Sequence, residues 1–414
     1  MYQNAIVELH MHIIQPRTYQ PRPVRKPKLK RWFYLAGLLV LLAGYNYIRP
    51  LPAATATFHI TGLSNLQTPS ITWPSTEQAA IGAPGYGVLA SAGNQQPLAT
   101  ASTAKVIAAL CVLQKQPLKL GESGPTYTVS TQDVALYNDY VAGNGSVAAV
   151  SAGEKLTEYQ ALQAIMLPSA DNIADSLVNW VFGSHDNYAT YAASFLADRG
   201  ITQTTIGNDA SGYDSSTTSS ATDLTKIGLL ALKSPVLMEI AGQKSAVLPV
   251  AGVVRNYNTA LGTNGITGLK TGNNDEDPGA FLFTADVPVG SKQVTVTGAV
   301  MGAPSLRAAL AASTELSASL QNGFEETPIA AANQQVGVMH TAWGAQEPII
   351  TGNALQIVRW KDTAISETHT IKTLLTAGAV GSVQLQAPSA KATTGLRLQH
   401  AIPGPSFWWR LTRH

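Results

Sequence analysis

The chain has 414 residues, more than the roughly 100 to 200 of one typical domain, so two folded units and a tail are expected. Apolar residues make up 45% and charged residues 13%, which excludes a highly charged disordered chain. The net charge of +2 hides an asymmetry that argues against a nucleic-acid role: Arg17, Arg22, Arg25, Lys26, Lys28, Lys30 and Arg31 crowd one end, opposed by Glu8 alone, and the remainder is mildly acidic.

The basic run, 1–31, abuts Trp32 to Ile48, an apolar stretch close to the lower limit of about 17 residues for a membrane crossing. Trp32, Phe33, Tyr34, Tyr45 and Tyr47 sit near its ends as interfacial anchors do. The positive-inside rule then makes 1–31 a cytoplasmic tail, 32–48 a single-pass anchor in the cell membrane, and everything beyond Arg49 extracellular. A cleaved leader competes, since Ala54-Thr55-Ala56 offers a small-x-small site. That site lies well past the apolar run, and the uncleaved anchor is preferred. Residues 49–76, rich in Pro, Thr, Ser and Ala, read as an extracellular stalk.

From Ala79 to Ser91 a strand and its turn are expected. Ser102 to Gln114 reads as a buried helix, with Val106, Ala109, Leu110 and Leu113 at helical spacing. Thr157 and Gln160 have capping-box spacing ahead of a stripe of Tyr159, Leu162, Ile165 and Met166, and Pro168 ends that helix. A further helix from Ile173 to Phe182 leaves 168–172 as a tight turn. Helices are also expected at 222–233 and 304–322. Strands are expected at Gly268–Lys270, Gly279–Asp286 and Gln293–Met301, with a polar loop from Asn273 to Pro278. Beyond Thr327, short strand-like runs at 336–340, 354–360, 370–375, 382–386 and 396–402 predict a small all-β unit, 327–414, whose aromatic end at Phe407-Trp408-Trp409-Arg410 reads as a packed terminal strand. The single Cys111, in the apolar run VIAALCVL, reads as a buried small hydrophobe. The histidines show no metal-ligand spacing.

Ser102-Thr103-Ala104-Lys105 puts a hydroxyl and an amine three residues apart at a helix start, on one side of the helix. A serine hydroxyl needs a base to become a nucleophile, and a lysine serves when it is neutral. Burial and the positive end of the helix dipole both favour the neutral amine. Alone, Ser-x-x-Lys is a weak signal. Lys270-Thr271-Gly272 ends the strand ITGLKTG: the lysine offers positive potential to an anionic substrate end, the threonine hydroxyl can bind a carboxylate, and the glycine allows close backbone approach. In isolation this is an ordinary strand-to-turn transition. Between the two lies the turn Ser169-Ala170-Asp171-Asn172.

The ordered set Ser-x-x-Lys, a serine-bearing turn and Lys-Thr-Gly resembles the penicillin-recognising serine enzymes, and specifically their low-molecular-mass branch, the D-alanyl-D-alanine carboxypeptidases. Gly153-Glu154-Lys155-Leu156, Asn208-Asp209-Ala210-Ser211-Gly212 and GLKTG add to the likeness, which covers about 77–325. The resemblance implies an α+β fold of the β-lactamase/transpeptidase kind over 77–326, an antiparallel sheet flanked by helices, with the β-rich unit behind it. It also implies that Ser102 attacks a peptidoglycan stem peptide ending in D-Ala-D-Ala with Lys105 as base, and that Ser169 relays a proton to the leaving D-alanine. Lys270 and Thr271 would hold the terminal carboxylate, Gly272 would line the strand edge, the N–H groups of Ser102 and Asn273 would form the oxyanion hole, and Asp171 and Asn172 would border the substrate. β-Lactams would be covalent inhibitors, and no cofactor or metal is implied.

Two departures from the family pattern stand out. The third position of the central turn is Asp171 where the family has Asn, with an amide one place later at Asn172. An ionised Asp171 beside Lys105 would favour the charged amine, so either Asn172 occupies the slot or Asp171 sits differently, the alternative being reduced or altered activity. Thr100-Ala101 also stands where a proline commonly precedes the nucleophile. Residues 177–203 hold Asp186 and Asp198 but no Glu, which argues for slow β-lactam hydrolysis. A transpeptidase, and a non-catalytic wall-binding protein on the same scaffold, remain the other readings.

Overall fold

Two apolar runs broken by Gly290-Ser291 fold back on each other as strands Gly279–Val289 and Lys292–Ala303, with Val289 opposite Lys292 across a two-residue turn. Gly290 has φ of 58°, the left-handed conformation such tight hairpins require. This hairpin is the centre of an antiparallel five-stranded sheet. Ile266–Gly272 pairs with its first strand, and Gln78–Ala83 then Gly87–Ala92 extend its other side. The computed structural model of the chain describes residues 29–75, 78–273, 278–372 and 375–413. The expected tail up to residue 28 and most of the expected polar loop, 274–277, lie outside these described residues.

Ten helices are described: α1 (Leu29–Ile48), α2 (Ala104–Lys115), α3 (Thr131–Ala142), α4 (Glu158–Met166), α5 (Asp171–Phe182), α6 (His185–Ala197), α7 (Ala221–Ala231), α8 (Pro235–Ala241), α9 (Leu306–Ser319) and α10 (Phe407–Thr412). Alternation along the central strand splits its side chains between two cores. Phe281 and Phe283 pack with Leu316 and Leu320 at α9, whereas Leu282 faces the opposite cluster with Ile107 of α2 and Leu224 of α7. Because both faces are covered, the strands are buried on both sides, and each fully buried Leu or Phe is worth about 1.5–3 kcal/mol. α2 lies inside this packing from Ala104 to Val112, with Val106, Ile107, Ala109 and Val112 at 0% exposure, and only its last turn reaches the surface. The expected capping box forms: Thr157 Oγ1 accepts from Gln160 N–H at 3.2 Å and Gln160 Oε1 accepts from Thr157 N–H at 3.1 Å.

The C-terminal part contains a six-stranded antiparallel sheet, in the order 55–58, 335–340, 346–351, 390–398, 378–387, 366–371, and a separate pair, Phe324–Ala330 with Leu355–Trp360. Its first strand corrects the expected stalk. Thr55–Phe58 pairs with Gln335–His340, and Arg359, 1% exposed, holds Asn65 O and Glu325, so 55–65 is built into this unit. The expected terminal strand at 407–410 is instead α10. Ser406 Oγ caps it by accepting from Trp409 N–H at 3.2 Å.

The expectation of a membrane crossing at 32–48 is also corrected. The apolar segment is helical, as α1, but among the described residues no helix is long and apolar enough to cross a membrane. Lys30 and Arg31 occupy its first turn, and Gly37, Gly44, Tyr45, Asn46 and Tyr47 dilute the apolar run. Its far end is clasped by α10: Asn46 Nδ2 donates to Leu411 O and Arg413 O, and the Arg413 guanidinium reaches the Asn46, Arg49 and Pro50 carbonyls, which helical bonds leave open.

Candidate active site

The short strand Leu98–Ala99 delivers the chain to the start of α2. Thr100 N–H bonds Thr217 O at 2.9 Å, and Thr103 Oγ1 donates back to Thr100 O at 2.8 Å. Between them a 3₁₀ turn, Ala101–Thr103, begins with Ala101 at φ of 43°, a strained value for a residue with a Cβ and one that recurs at functional sites. Gly212 makes this possible. A Cβ on Gly212 would stand 2.1 Å from Ala101 O, and its own φ is 71°.

One turn on, Lys105 points back at the serine. Its Nζ donates to Ser102 Oγ at 2.9 Å, to Ser211 O at 2.9 Å, and to Asp171 Oδ1 at 2.5 Å. The lysine is fully buried, while Ser102 keeps 8% exposure at the floor of a groove of about 550 Å³ that Asn144, Ser146, Asp171, Tyr213 and Asn273 also line.

The turn after α4 carries Ser169 in the left-handed region, φ of 64°, with its Oγ buried and, among the described residues, without a hydrogen-bond partner. Asp171 opens α5 and occupies the slot beside the lysine. Its Oδ2 accepts from Ser146 N–H at 2.7 Å, so both oxygens are engaged. Asn172 turns away: its amide holds Ala148 through both N–H and carbonyl, at 3.1 and 3.0 Å. The choice left open by the sequence falls to Asp171, and the helix start itself is pinned to 146–148.

Lys270 and Thr271 are 1% and 5% exposed on Ile266–Gly272. Burial, then the positive charge of Lys105, holds the Lys270 ammonium well below the ordinary lysine range, opposed by Asp171. Its Nζ donates to Thr271 O at 2.9 Å. Gly272 has a packing reason to be glycine, since a Cβ there would meet Thr100 O at 2.8 Å and Thr103 Cγ2 at 3.0 Å. The strand thus lies directly against the segment that carries Ser102. Cys111 is fully buried, and burial pushes its thiol up to about 12, consistent with an inert core residue.

Sequence reasoning missed the wall opposite this strand. Tyr140 of α3 donates to Asp175 at 2.6 Å, Asp175 accepts from Ala210 N–H at 2.9 Å, and Asp209 gathers Ser211 N–H, Ser211 Oγ and Asp214 N–H at 2.6–2.8 Å. This network aims Ser211 O at Lys105. The Ser130-x-x-Asp133 capping spacing before α3 was the available signal, and both of its bonds form.

A family model for D-alanyl-D-alanine carboxypeptidases matches residues 76–305. A D-alanyl-D-alanine carboxypeptidase of Streptomyces sp. strain K15 is 30% identical over 227 residues, covering 50% of this chain and 74% of that protein. Among solved structures, penicillin binding protein 5 from Haemophilus influenzae aligns over 82% of this chain and all of its own, with a TM-score of 0.54 at 16% identity. The Streptomyces K15 DD-transpeptidase aligns over 60% of this chain and 98% of its own, with a TM-score of 0.53 at 23% identity. These likenesses show a penicillin-binding-protein fold of mixed helix and sheet. With Ser102 at the groove floor, Lys105 bonded to it and the Lys-Thr-Gly strand packed against its segment, and with the match running through all three, the chain belongs to the D-alanyl-D-alanine carboxypeptidase family.

Proposed function

We propose that this chain is a serine-type D-Ala-D-Ala carboxypeptidase that removes the terminal D-alanine of peptidoglycan stem peptides through an acyl-enzyme, and that β-lactams trap it. The observation that carries this reading is the 2.9 Å bond between Lys105 Nζ and Ser102 Oγ at the floor of the groove. In the reaction Ser102 Oγ attacks the penultimate carbonyl as Lys105 takes its proton. The backbone N–H groups of Ser102 and Asn273 hold the oxyanion, a contribution of about 3 kcal/mol for one such donor. Ser169 Oγ, unpartnered at rest, hands a proton to the leaving D-alanine. The terminal carboxylate goes to Lys270 and Thr271, and its charge restores the ammonium that burial disfavours. Gly272 lines the strand edge, while Asp171 and Asn172 act on the substrate indirectly, through the groove wall they fix. Water completes the cycle. An amine acceptor in its place makes the same site a DD-transpeptidase.

The catalytic unit corresponds to 77–326 and the β-rich unit to 327–414 together with 55–65. A stem-peptide substrate puts both outside the cytoplasmic membrane. Lipid contact is supported by the exposed apolar length of α1, with Trp32, Val40 and Leu41 each about 71–72% exposed and Lys30 and Arg31 at its start.

Fluorescent penicillin is expected to label the parent covalently and Ser102→Ala not at all. Incubation with a D-Ala-D-Ala pentapeptide followed by mass analysis is expected to show loss of one alanine. A parent that binds wall fragments yet neither labels nor cleaves would leave only the wall-binding reading.

A further inference from the structure

The residue nearest the base is an acid. Lys105 Nζ and Asp171 Oδ1 stand 2.5 Å apart with side chains 0% and 4% exposed, so water screens this pair little. The carboxylate cannot simply swing aside, because its second oxygen holds Ser146 N–H at 2.7 Å and Gly145 packs against it; a Cβ there would stand 2.9 Å from Oδ2. Around the pair, Lys270 lies on the neighbouring strand, its ammonium held well below the ordinary lysine range by burial and then by the charge of Lys105. Asp209, beside Ser211, has its oxygens taken by Ser211, Tyr213 and Asp214, and Asp175 on α5 is bonded to Tyr140 and Ala210. The 143–146 segment brings no titratable side chain to the pair.

Acylation needs a lone pair on Lys105. The Ser102 O–H bond breaks, its proton goes to that lone pair, the Oγ–carbonyl bond forms, and the scissile C–N bond breaks as its nitrogen takes up a proton. A carboxylate 2.5 Å from that nitrogen favours a charged amine, so the contact opposes the step. A substrate carboxylate arriving at Lys270 adds a negative charge nearby and pushes in the same direction.

Resting on the assignment of Ser102 and Lys105 as nucleophile and base, we propose that Asp171 is a positioning residue that restrains the base, confining acyl transfer to more alkaline conditions than an amide at the same place. Asparagine at 171 keeps the shape: its carbonyl accepts from Ser146 N–H and its NH₂ donates to the Lys105 lone pair.

The test compares the full-length parent and Asp171→Asn for the second-order rate of acylation by fluorescent penicillin from pH 6 to pH 10, with thermal melts of both. The half-maximal pH is expected to fall in Asp171→Asn by at least about one unit, as removal of a contacting opposite charge does, with a gain of about tenfold on the rising limb and convergence at high pH. Superimposable profiles, or a variant slower at every pH with a native melt, overturn the restraint and leave the nucleophile in place. The parent alone also decides: a rate already on its plateau at pH 6 overturns the restraint even if the variant fails to fold. Absence of labelling in both proteins at every pH overturns the acyl-transfer reading, and the restraint with it.

Discussion

Glu158 is a buried acid with nothing to hold it. It opens α4, is 0% exposed, and neither carboxyl oxygen has a hydrogen-bond partner among the described residues. Gly124 is pressed against it, so that a Cβ there would meet Oε2 at 2.8 Å. Burial pushes the carboxyl from its ordinary 4.5 up to about 7. The folded protein therefore binds more protons than the unfolded chain between those two values, and its stability falls as pH rises through that window. At 1.36 kcal/mol per unit, the ionised form costs about 3 kcal/mol above pH 7, and nothing below pH 4.5. Glu158→Gln removes the titration while leaving a polar group of the same shape. Its absolute stability also carries the cost of an unsatisfied amide, about 1–3 kcal/mol, so the informative quantity is the pH dependence. Urea unfolding of both proteins at pH 5, 6, 7 and 8 is expected to show the variant gaining about 2.5 kcal/mol on the parent across the series, most of it before pH 7.5. Parallel curves would refute the reasoning and mean that the carboxylate finds water or a counter-charge on ionising.

Two substitutions separate geometry from chemistry at the groove. Gly212→Ala puts a methyl 2.1 Å from Ala101 O and into a φ of 71°, displacing the strained turn before Ser102; penicillin labelling is expected to fall by about 100-fold or more, with a lowered melting temperature. Ser169→Ala removes a buried hydroxyl that has no partner at rest, so the melting temperature is expected to hold or rise while turnover of the pentapeptide drops by about 10²–10⁴. An equal loss of stability and turnover in Ser169→Ala would show that the hydroxyl is structural.

What the sequence made legible was local. The α4 capping box, the buried stripe of α2 and the apolar runs of the central hairpin are read from residues within one element, and they form as expected. α3 escaped because it buries no side chain fully and so has no apolar stripe to detect. The strand Gln346–Thr351 escaped because Pro348 interrupts it. The stalk and the terminal strand were misread for a different reason: Thr55–Phe58 is a strand only because Gln335–His340 lies beside it, and Phe407–Thr412 is a helix with its N-terminus fixed by Ser406 and its far end held by α1.

The same distinction decides the central turn. Nothing local separates Asp171 from Asn172 as the residue beside Lys105, for both lie in the first turn of one helix and both are polar. Each is fastened to 146–148, more than twenty residues earlier: Ala148 offers the Asn172 amide both a donor and an acceptor, and Ser146 N–H bonds one oxygen of Asp171. A carboxylate at 171 with one oxygen on that N–H has its other oxygen on Lys105. The departure from the family pattern is thus built into the groove wall, through backbone contacts to 146–148 that no motif records.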